Sequence, residues 1–387
     1  MIAFLFPGQG SQKPGMGRAW IDHPSWSLVA EASDAAERDV AALLLDADED
    51  ELRDTRNAQL ATFVLSMVVL DAVERLGVEP GLLAGHSLGE YSALTASGAL
   101  ELIDGVRLVA ERGEAMQVAA EEREGTMAVV LGLDDDDVEA ACSRAEADVW
   151  VANHNAPGQV VIAGVPEAVD AAAQIAKDMG AKRVVPITVG GAFHTPLMGS
   201  ARDRLRKALA QVEWRDADRP VITNVDARPH TAAEEWAPLL TSQLLSPVRF
   251  RQCLLTLQKQ GASRFLEIGP GTAVTAMAKR TVDGTCLAIS APEGLDALLE
   301  ELAGPADSEP AGEQVHLLER LVVTPVAGTF RGDRRIERGA EVTAGDVLGH
   351  VSGTEIRSGF SGHFGGLLAL DGQRVGPSEP VAWLRLP

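Results

Sequence analysis

Short apolar segments alternate with helical patterns along the first third of the chain. Residues 1–6 (MIAFLF) and 82–84 (LLA) are brief apolar runs of strand character. Residues 60–76 carry apolar side chains at helical spacing, and the predicted helix stops before Gly77, because glycine commonly follows a last helical turn. Alternating strands and helices are typical of an α/β domain.

Residues 126–189 follow a different order. Strands are predicted at 127–131, 150–152, 160–162 and 184–189, and helices at 134–146 and 166–179. This β-α-β-β-α-β order is typical of a ferredoxin-like unit. We therefore predict a small subdomain at 125–189, inserted into a large α/β subdomain formed by 1–124 and 190–290. The cleft between two such subdomains is a preferred ligand site.

The pattern changes again beyond residue 290. Residues 291–314 include a short helical stretch and the segment GPADSEPAG, which has the composition of a linker. From 315 to 387 the chain repeats itself, since PVAGTF at 325–330 matches GFSGHF at 359–364, and further glycine and apolar positions match at a similar offset. The repeat predicts a small barrel or sandwich with pseudo-twofold symmetry.

The composition is that of a globular protein. The 387 residues are 46% hydrophobic and 23% charged, and a net charge of −22 argues against nucleic acid as a partner. We find no apolar run of the about 18 residues that cross a bilayer, and residues 1–6 lack the basic start of a signal peptide. We therefore expect a cytoplasmic protein without membrane contact. The three cysteines lack CxxC spacing, so neither disulfides nor a metal site are expected.

The candidate chemistry begins at the pentapeptide GHSLG, residues 85–89. It places Ser87 between the strand at 82–84 and a helix predicted at 90–96. In such a turn Gly85 and Gly89 let strand and helix cross closely, and the N–H of Leu88 points toward the oxygen under attack. The pentapeptide alone is equally compatible with a glycine-rich turn that carries an incidental serine.

Two distant segments favour the catalytic interpretation. The loop PGQG at 7–10 follows the first strand, and its backbone N–H groups are suited to complete an oxyanion hole. His194 follows the apolar run at 184–189, in a loop where a general base would stand.

Six motifs in this order resemble the malonyl-CoA:acyl-carrier-protein transacylase family. They are FPGQGSQ at 6–12, GHSLGEY at 85–91, RG at 112–113, NHNAPGQVVIAG at 153–164, GAFHTPLM at 191–198 and SQLLSPVRF at 242–250. The resemblance covers residues 1 to about 290. It implies an α/β-hydrolase-like large subdomain.

The resemblance also implies the catalytic residues. Ser87 would be the nucleophile and His194 the general base, oriented by the backbone carbonyl of Gln243. The backbone N–H groups of Gln9 and Leu88 would hold the oxyanion.

The substrate-binding residues follow from the same resemblance. Arg112 matches the family's carboxylate-binding arginine, and a fixed cation is needed because burying an unpaired carboxylate is costly. Phe193 and the apolar Leu88 match variants associated with malonyl rather than methylmalonyl groups. His86 and Asn155 would line the pocket.

Residues 315–387 resemble the biotinyl/lipoyl carrier fold. The hairpin that should present a modifiable lysine is VSGTEIR at 351–357, and no lysine follows Lys279. We therefore expect a β domain kept for packing or docking, with no biotin or lipoate attached.

The function implied is transfer of a malonyl group from malonyl-CoA to the phosphopantetheine thiol of a holo acyl carrier protein. The transfer would pass through a malonyl-Ser87 ester by a ping-pong scheme, in fatty acid or polyketide synthesis, with no cofactor or metal. The expected partners are the carrier protein and the coenzyme A thioester. An acyl-thioester hydrolase and a non-catalytic acyl-carrier-binding scaffold are the alternatives.

Overall fold

The computed structural model describes residues 1–303, 319–333, 336 and 338–385. The chain divides into two compact units, Met1–Glu300 and Glu301–Pro387.

The first unit contains ten strands and thirteen α-helices within the described residues. The strands are β1 Ile2–Phe6, β2 Leu82–Gly85, β3 Thr126–Leu131, β4 Val149–Ala156, β5 Gln159–Gly164, β6 Arg183–Ile187, β7 Val221–Ile222, β8 Pro229–His230, β9 Arg264–Ile268 and β10 Thr285–Ile289. The helices are α1 Leu28–Ala36, α2 Val40–Leu45, α3 Glu49–Arg53, α4 Thr55–Glu74, α5 Gly89–Ala96, α6 Leu102–Glu122, α7 Asp135–Arg144, α8 Pro166–Asp178, α9 Gly199–Leu209, α10 Ala233–Gln243, α11 Phe250–Lys259, α12 Ala273–Ala278 and α13 Glu293–Ala303, which begins in this unit.

A six-stranded mixed sheet positions the candidate site. Its order is β10-β9-β1-β2-β7-β8, and all neighbours are parallel except β7 and β8. Phe6 pairs with Gly85, so β1 and β2 end side by side. The loops that follow the carboxyl ends of parallel strands meet at one edge, where ligands bind in open α/β sheets. The loops after β1, β2 and β7 therefore converge.

A four-stranded antiparallel sheet forms from the middle of the chain. Its elements follow one another as β3, α7, β4, β5, α8 and β6, and the sheet order is β4-β5-β3-β6. Both helices pack on it through small apolar residues, including Val138, Ala141 and Ala172. Two backbone hydrogen bonds tie β4 to the segment before α11, since the His154 N–H donates to the Val248 carbonyl and the Val248 N–H donates to the Ala152 carbonyl.

Helix α4 spans Thr55–Glu74 and so begins earlier than the predicted start at residue 60. It has a mean hydropathy of 1.3 over 18 residues, enough by length and composition to cross a membrane. The expectation that no segment reaches this threshold was therefore wrong. Since 83% of that window is buried inside the protein, α4 serves as a core helix.

In its described residues, the second unit contains eight strands. They are β11 Glu319–Val323, β12 Gly328–Gly332, β13 Glu341–Val342, β14 Val347–Val351, β15 Thr354–Arg357, β16 Gly362–Leu367, β17 Arg374–Val375 and β18 Pro380–Arg385. They form sheets of order β11-β18-β16-β13 and β15-β14-β12-β17. Shifting each strand by about 34 positions, as the sequence repeat requires, converts one order into the other. Each half of the repeat therefore gives two strands to each sheet.

The predicted linker at 291–314 is described only in part. Its first portion contains helix α13. The segment GPADSEPAG at 304–312 and the start of the predicted β domain at 315–318 lie outside the described residues.

Candidate active site

Ser87 occupies the sharp turn between β2 and α5. Its φ is +53°, in the left-handed region that residues other than glycine rarely adopt. A Cβ on Gly85 would lie 1.9 Å from the carbonyl carbon of Gly89, and a Cβ on Gly89 would lie 2.2 Å from the Phe6 oxygen. The close crossing of β1, β2 and α5 therefore requires glycine at both positions.

His194 reaches Ser87 from the loop after β6. Its Nε2 lies 2.7 Å from Ser87 Oγ, and its Nδ1 lies 2.9 Å from the carbonyl oxygen of Gln243. Because a carbonyl oxygen can only accept, Nδ1 carries the proton and the lone pair of Nε2 faces the serine hydroxyl. Burial and then the charge of Arg112 lower the pKa of His194 to about 3. The imidazole is therefore a neutral base at pH 7.

Arg112 lies in α6 and is 1% exposed. Its Nη2 lies 3.1 Å from Ser87 Oγ, and its Nη1 donates to Gln59 Oε1 at 2.6 Å. The guanidinium carbon stands 5.4 Å from the ring centre of Tyr91, within cation–π range. Among the described residues, no carboxylate forms an ion pair with Arg112 within 4.0 Å. In the described part of the chain, a buried cation thus lies beside the hydroxyl with no carboxylate in ion-pair contact.

Gln243 connects these groups through its side chain as well as its backbone. Its Oε1 accepts from Arg112 Nη2 at 3.2 Å, and its Nε2 donates to the Ser87 carbonyl oxygen at 3.0 Å. From the sequence, only its backbone carbonyl was expected to act at the site. One residue therefore contacts the base, the cation and the serine turn.

The loop after β1 packs directly on the serine turn. A Cβ on Gly8 would lie 2.4 Å from the His86 carbonyl oxygen, so this loop contacts the turn closely. The Gln9 side chain donates to Thr55 Oγ1 at 3.3 Å. Within the ranges described, the backbone N–H groups of Gln9 and Leu88 donate to no protein acceptor. Both are free to bind a ligand oxygen.

The remaining predicted site residues are buried or half-buried near the same turn. His86 Nε2 lies 2.8 Å from Asn155 Oδ1, and the His86 ring packs edge-on against Phe250. Burial lowers the pKa of His86. Phe193 is buried, and its ring covers Gly191. Its side chain is apolar and therefore makes no hydrogen bond to Ser87.

A groove with a volume of about 490 Å³ leads to His194. It lies between the small antiparallel sheet and the loops of the large sheet, and is lined by Trp150, Val151, Leu245 and Pro247 among others. Glu139, Ser143 and Glu146 add polar groups to its walls, and its size suits an extended chain. No group of three or more His, Cys, Asp or Glu side chains in the described part of the chain could hold a metal ion.

Three buried polar residues around the site were missed by the sequence analysis. They are Gln59, Glu90 and Asn224. Glu90 stands in the GHSLGEY motif three positions after Ser87, which gave a signal, whereas Gln59 lies at the polar start of α4 before the apolar run and gave none. Asn224 follows the two-residue strand β7, for which the sequence has no distinct pattern.

A serine in a sharp turn after a parallel strand, paired with a neutral histidine, is characteristic of acyl-transferring serine enzymes. Residues 3–302 match the acyl transferase domain family. The chain is 40% identical over 307 residues to the malonyl CoA-acyl carrier protein transacylase of Bacillus subtilis, covering 78% of this chain and 97% of the relative.

Solved structures give the same result. The acyl-carrier-protein S-malonyltransferase of Burkholderia pseudomallei is 38% identical with a TM-score of 0.74, over 77% of this chain and 99% of the other. A malonyl-transacylase solved with a type II PKS acyl-carrier protein is 38% identical with a TM-score of 0.75, over 78% and 99%. The chain belongs to the malonyl CoA-acyl carrier protein transacylase family of acyltransferases.

Proposed function

We propose that this protein transfers a malonyl group from malonyl-CoA to the phosphopantetheine thiol of a holo acyl carrier protein. The observation that carries the proposal is the buried Arg112 guanidinium, 3.1 Å from Ser87 Oγ and without a carboxylate partner within 4.0 Å among the described residues. A malonyl thioester has its carboxylate one methylene from the reacting carbonyl, so it can meet Arg112 while Ser87 attacks.

The first half-reaction loads the enzyme. Ser87 Oγ bonds to the thioester carbonyl carbon as its proton passes to His194 Nε2, whose other nitrogen is held by the Gln243 carbonyl. The N–H groups of Leu88 and Gln9 stabilise the oxyanion. Collapse breaks the C–S bond, and His194 returns the proton to the departing coenzyme A sulfur.

The second half-reaction transfers the malonyl group from Ser87 to the carrier protein. The carrier's thiol gives its proton to His194, its sulfur bonds to the ester carbonyl carbon, and the bond to Ser87 Oγ breaks as that oxygen recovers the proton. The groove beside His194 suits the pantetheine arm of either thioester. The two half-reactions consume no water, whereas hydrolysis of the malonyl ester would consume one water molecule.

Intact-mass spectrometry tests the proposal. After malonyl-CoA is added, the protein should gain one malonyl group and lose it to holo carrier protein, and Ser87→Ala should gain none. Rapid release of malonate without carrier would support a hydrolase instead. A wild-type protein that gains no adduct would support a non-catalytic scaffold. The experiment leaves fatty acid and polyketide synthesis open, because both use this step.

We also propose that residues 1–290 form two subdomains. The large α/β-hydrolase-like subdomain would consist of 1–124 and 190–290, with a ferredoxin-like subdomain at 125–189. The strand order β4-β5-β3-β6 with two helices supports the second assignment.

The 315–387 region is proposed to be a biotinyl/lipoyl-like domain without a swinging arm. Its two equivalent four-stranded sheets support the fold. The tight β14–β15 turn has Ser352 and Gly353 at positive φ where a modifiable lysine would be needed. We assign it a docking or packing role.

A further inference from the structure

We infer that Asn224 and Glu90 form a clamp that holds the strained turn of Ser87 in its reactive conformation. Both side chains are buried, with exposures of 0% and 1%. This inference rests on the proposed role of Ser87. It assigns the two residues positioning roles, since neither contacts the reacting atoms.

Asn224 bonds to two consecutive peptide groups of the turn on the N-terminal side of the serine side chain. Its Oδ1 accepts from the Ser87 backbone N–H at 2.8 Å, and its Nδ2 donates to the Gly85 carbonyl oxygen at 2.7 Å. The carbonyl oxygen of Ser87 is held separately by Gln243 Nε2. Three hydrogen bonds therefore fix the peptide groups on either side of a residue whose φ is +53°. Strained conformations of this kind persist only where the surroundings over-determine them.

The strand order explains how Asn224 reaches the turn. Leu83 and Ala84 of β2 pair with Val221 and Ile222 of β7, so Asn224 emerges beside the end of β2. Glu90 lies in the first turn of α5, three residues after the serine, and its Oε2 accepts from the Asn224 backbone N–H at 2.7 Å. The carboxylate thus anchors the asparagine backbone, and the asparagine amide anchors the serine turn.

The clamp affects the reacting geometry directly. The direction of the Ser87 peptide groups sets both the position of Oγ opposite His194 Nε2 and the direction of the Leu88 N–H. A misplacement of about 1 Å costs on the order of 100-fold in rate. Gln59 and Gln243 hold the guanidinium of Arg112, and Asn224 makes no hydrogen bond to it among the described residues. Loss of the clamp should lower kcat and leave the KM for malonyl-CoA nearly unchanged.

Labelling of Ser87 by a fluorophosphonate tests the clamp independently of malonyl transfer. Ser87 Oγ bonds to phosphorus, the P–F bond breaks, fluoride leaves and His194 takes the hydroxyl proton. We expect Asn224→Ala to slow labelling per folded molecule by about 10- to 100-fold. Glu90→Ala should slow it by about 10-fold. Glu90→Gln, which retains an acceptor for the Asn224 N–H, should slow it by no more than about 3-fold.

Thr223→Val is the matched control. Thr223 is buried beside Asn224, but its hydroxyl bonds to Asp226, away from the turn. Its labelling rate should stay within about 2-fold of wild type even where the melting temperature falls. If Asn224→Ala does not fold, Asn224→Asp replaces it. That variant keeps the acceptor for Ser87 but sets a carboxylate oxygen against the Gly85 carbonyl, so slower labelling is again expected.

Labelling of the Asn224 variants at the wild-type rate per folded molecule would overturn the clamp. So would equal loss in Thr223→Val, because the effect would then be general destabilisation. If wild-type protein fails to transfer malonyl while Asn224 still controls labelling, the proposed function fails and the clamp stands.

Discussion

The guanidinium of Arg112 and the hydroxyl of Ser87 are direct hydrogen-bond partners, with 3.1 Å between Nη2 and Oγ. Ser87 Oγ also lies 2.7 Å from His194 Nε2. The hydroxyl therefore accepts from the cation and donates to the base. This contact links the choice of acyl group to the nucleophile itself, because a substrate carboxylate bound by Arg112 must lie beside the reacting carbon.

Replacing Arg112 should slow loading with dicarboxylic acyl groups much more than loading with uncharged ones. Arg112→Ala removes a charged hydrogen-bond donor from a buried site, which typically costs about 1.5–3 kcal/mol, so kcat/KM for malonyl loading should fall by about 10- to 100-fold. Acetyl loading should fall much less. Initial rates of adduct formation by mass spectrometry measure both.

Arg107→Ala is the control for that comparison. Arg107 lies on the same helix, is exposed, and pairs with Asp104 at 3.8 Å. It should leave both rates unchanged. Equal losses of malonyl and acetyl loading in Arg112→Ala would contradict carboxylate recognition.

The side chain of Gln243 should contribute to kcat/KM separately from its backbone carbonyl. Gln243→Ala retains the carbonyl oxygen that accepts from His194 but removes the contacts to Arg112 and to the Ser87 carbonyl. Two lost buried hydrogen bonds predict about a 10-fold fall in kcat/KM, with the pH profile unchanged. Steady-state transfer between pH 6 and 8 checks this. A shifted profile would show that the variant had also moved His194.

The sequence predicted the central chemistry because that chemistry uses compact motifs. Ser87 and His194 are 107 positions apart, and each stands in a motif with a glycine or aromatic neighbour that identifies it. Ser87 follows β2 of the large sheet, whereas His194 follows β6 of the small antiparallel sheet, so their meeting depends on how the two sheets lie against each other. The strand pairing itself needed the structure.

The supporting residues were harder to predict for a physical reason. Asn224 acts through backbone groups of another strand, and its role depends on β2 and β7 being neighbours. Helix α4 was predicted to begin at residue 60 but begins at Thr55, because its polar first turn is capped by the Asp54 side chain. A capping bond of this kind extends a helix beyond its apolar pattern.

The pH dependence of serine reactivity should reflect the environment of His194. Burial and the charge of Arg112 lower its pKa to about 3, so the base stays unprotonated across mildly acidic pH. Fluorophosphonate labelling should therefore show no acid limb near the ordinary histidine value of about 6.5. Labelling rates at half-unit steps from pH 5 to 8 measure this. A half-maximal rate between pH 6 and 7 would contradict the assignment.

The carboxyl group of Glu90 should make the free energy of unfolding decrease as the pH rises from 4.5 through about 7. Burial, the largest cause, raises its pKa to about 7, above the ordinary value of 4.5. Between these values the folded protein binds more protons than the unfolded chain, so this contribution is full below pH 4.5 and lost as pH rises through 7. His194 acts in the opposite direction, because its lowered pKa removes stability as pH falls from about 6.5.

Glu90→Gln isolates the first effect. The free energy of unfolding of Glu90→Gln, minus that of wild type, should increase between pH 5 and pH 8, as measured by urea denaturation. The His194 contribution is present in both proteins and cancels. A difference that stays constant with pH would contradict a raised pKa for Glu90.

The glycines of the serine turn should be intolerant of even one methyl group. A Cβ on Gly85 would lie 1.9 Å from the Gly89 backbone, which cannot move without separating β2 from α5. Overpacking a core site typically costs about 1–3 kcal/mol, and a clash with backbone belongs at or above the upper end. The free energy of unfolding of Gly85→Ala, measured by urea denaturation, should therefore fall by about 3 kcal/mol or more, and the variant should not be labelled by fluorophosphonate.

Gly190→Ala is the control, since a Cβ there meets nothing within 4 Å and its backbone needs no positive φ. It should remain within about 0.5 kcal/mol of wild type. Equal stability of the two variants would mean that the strand and helix do not cross as closely as the turn requires.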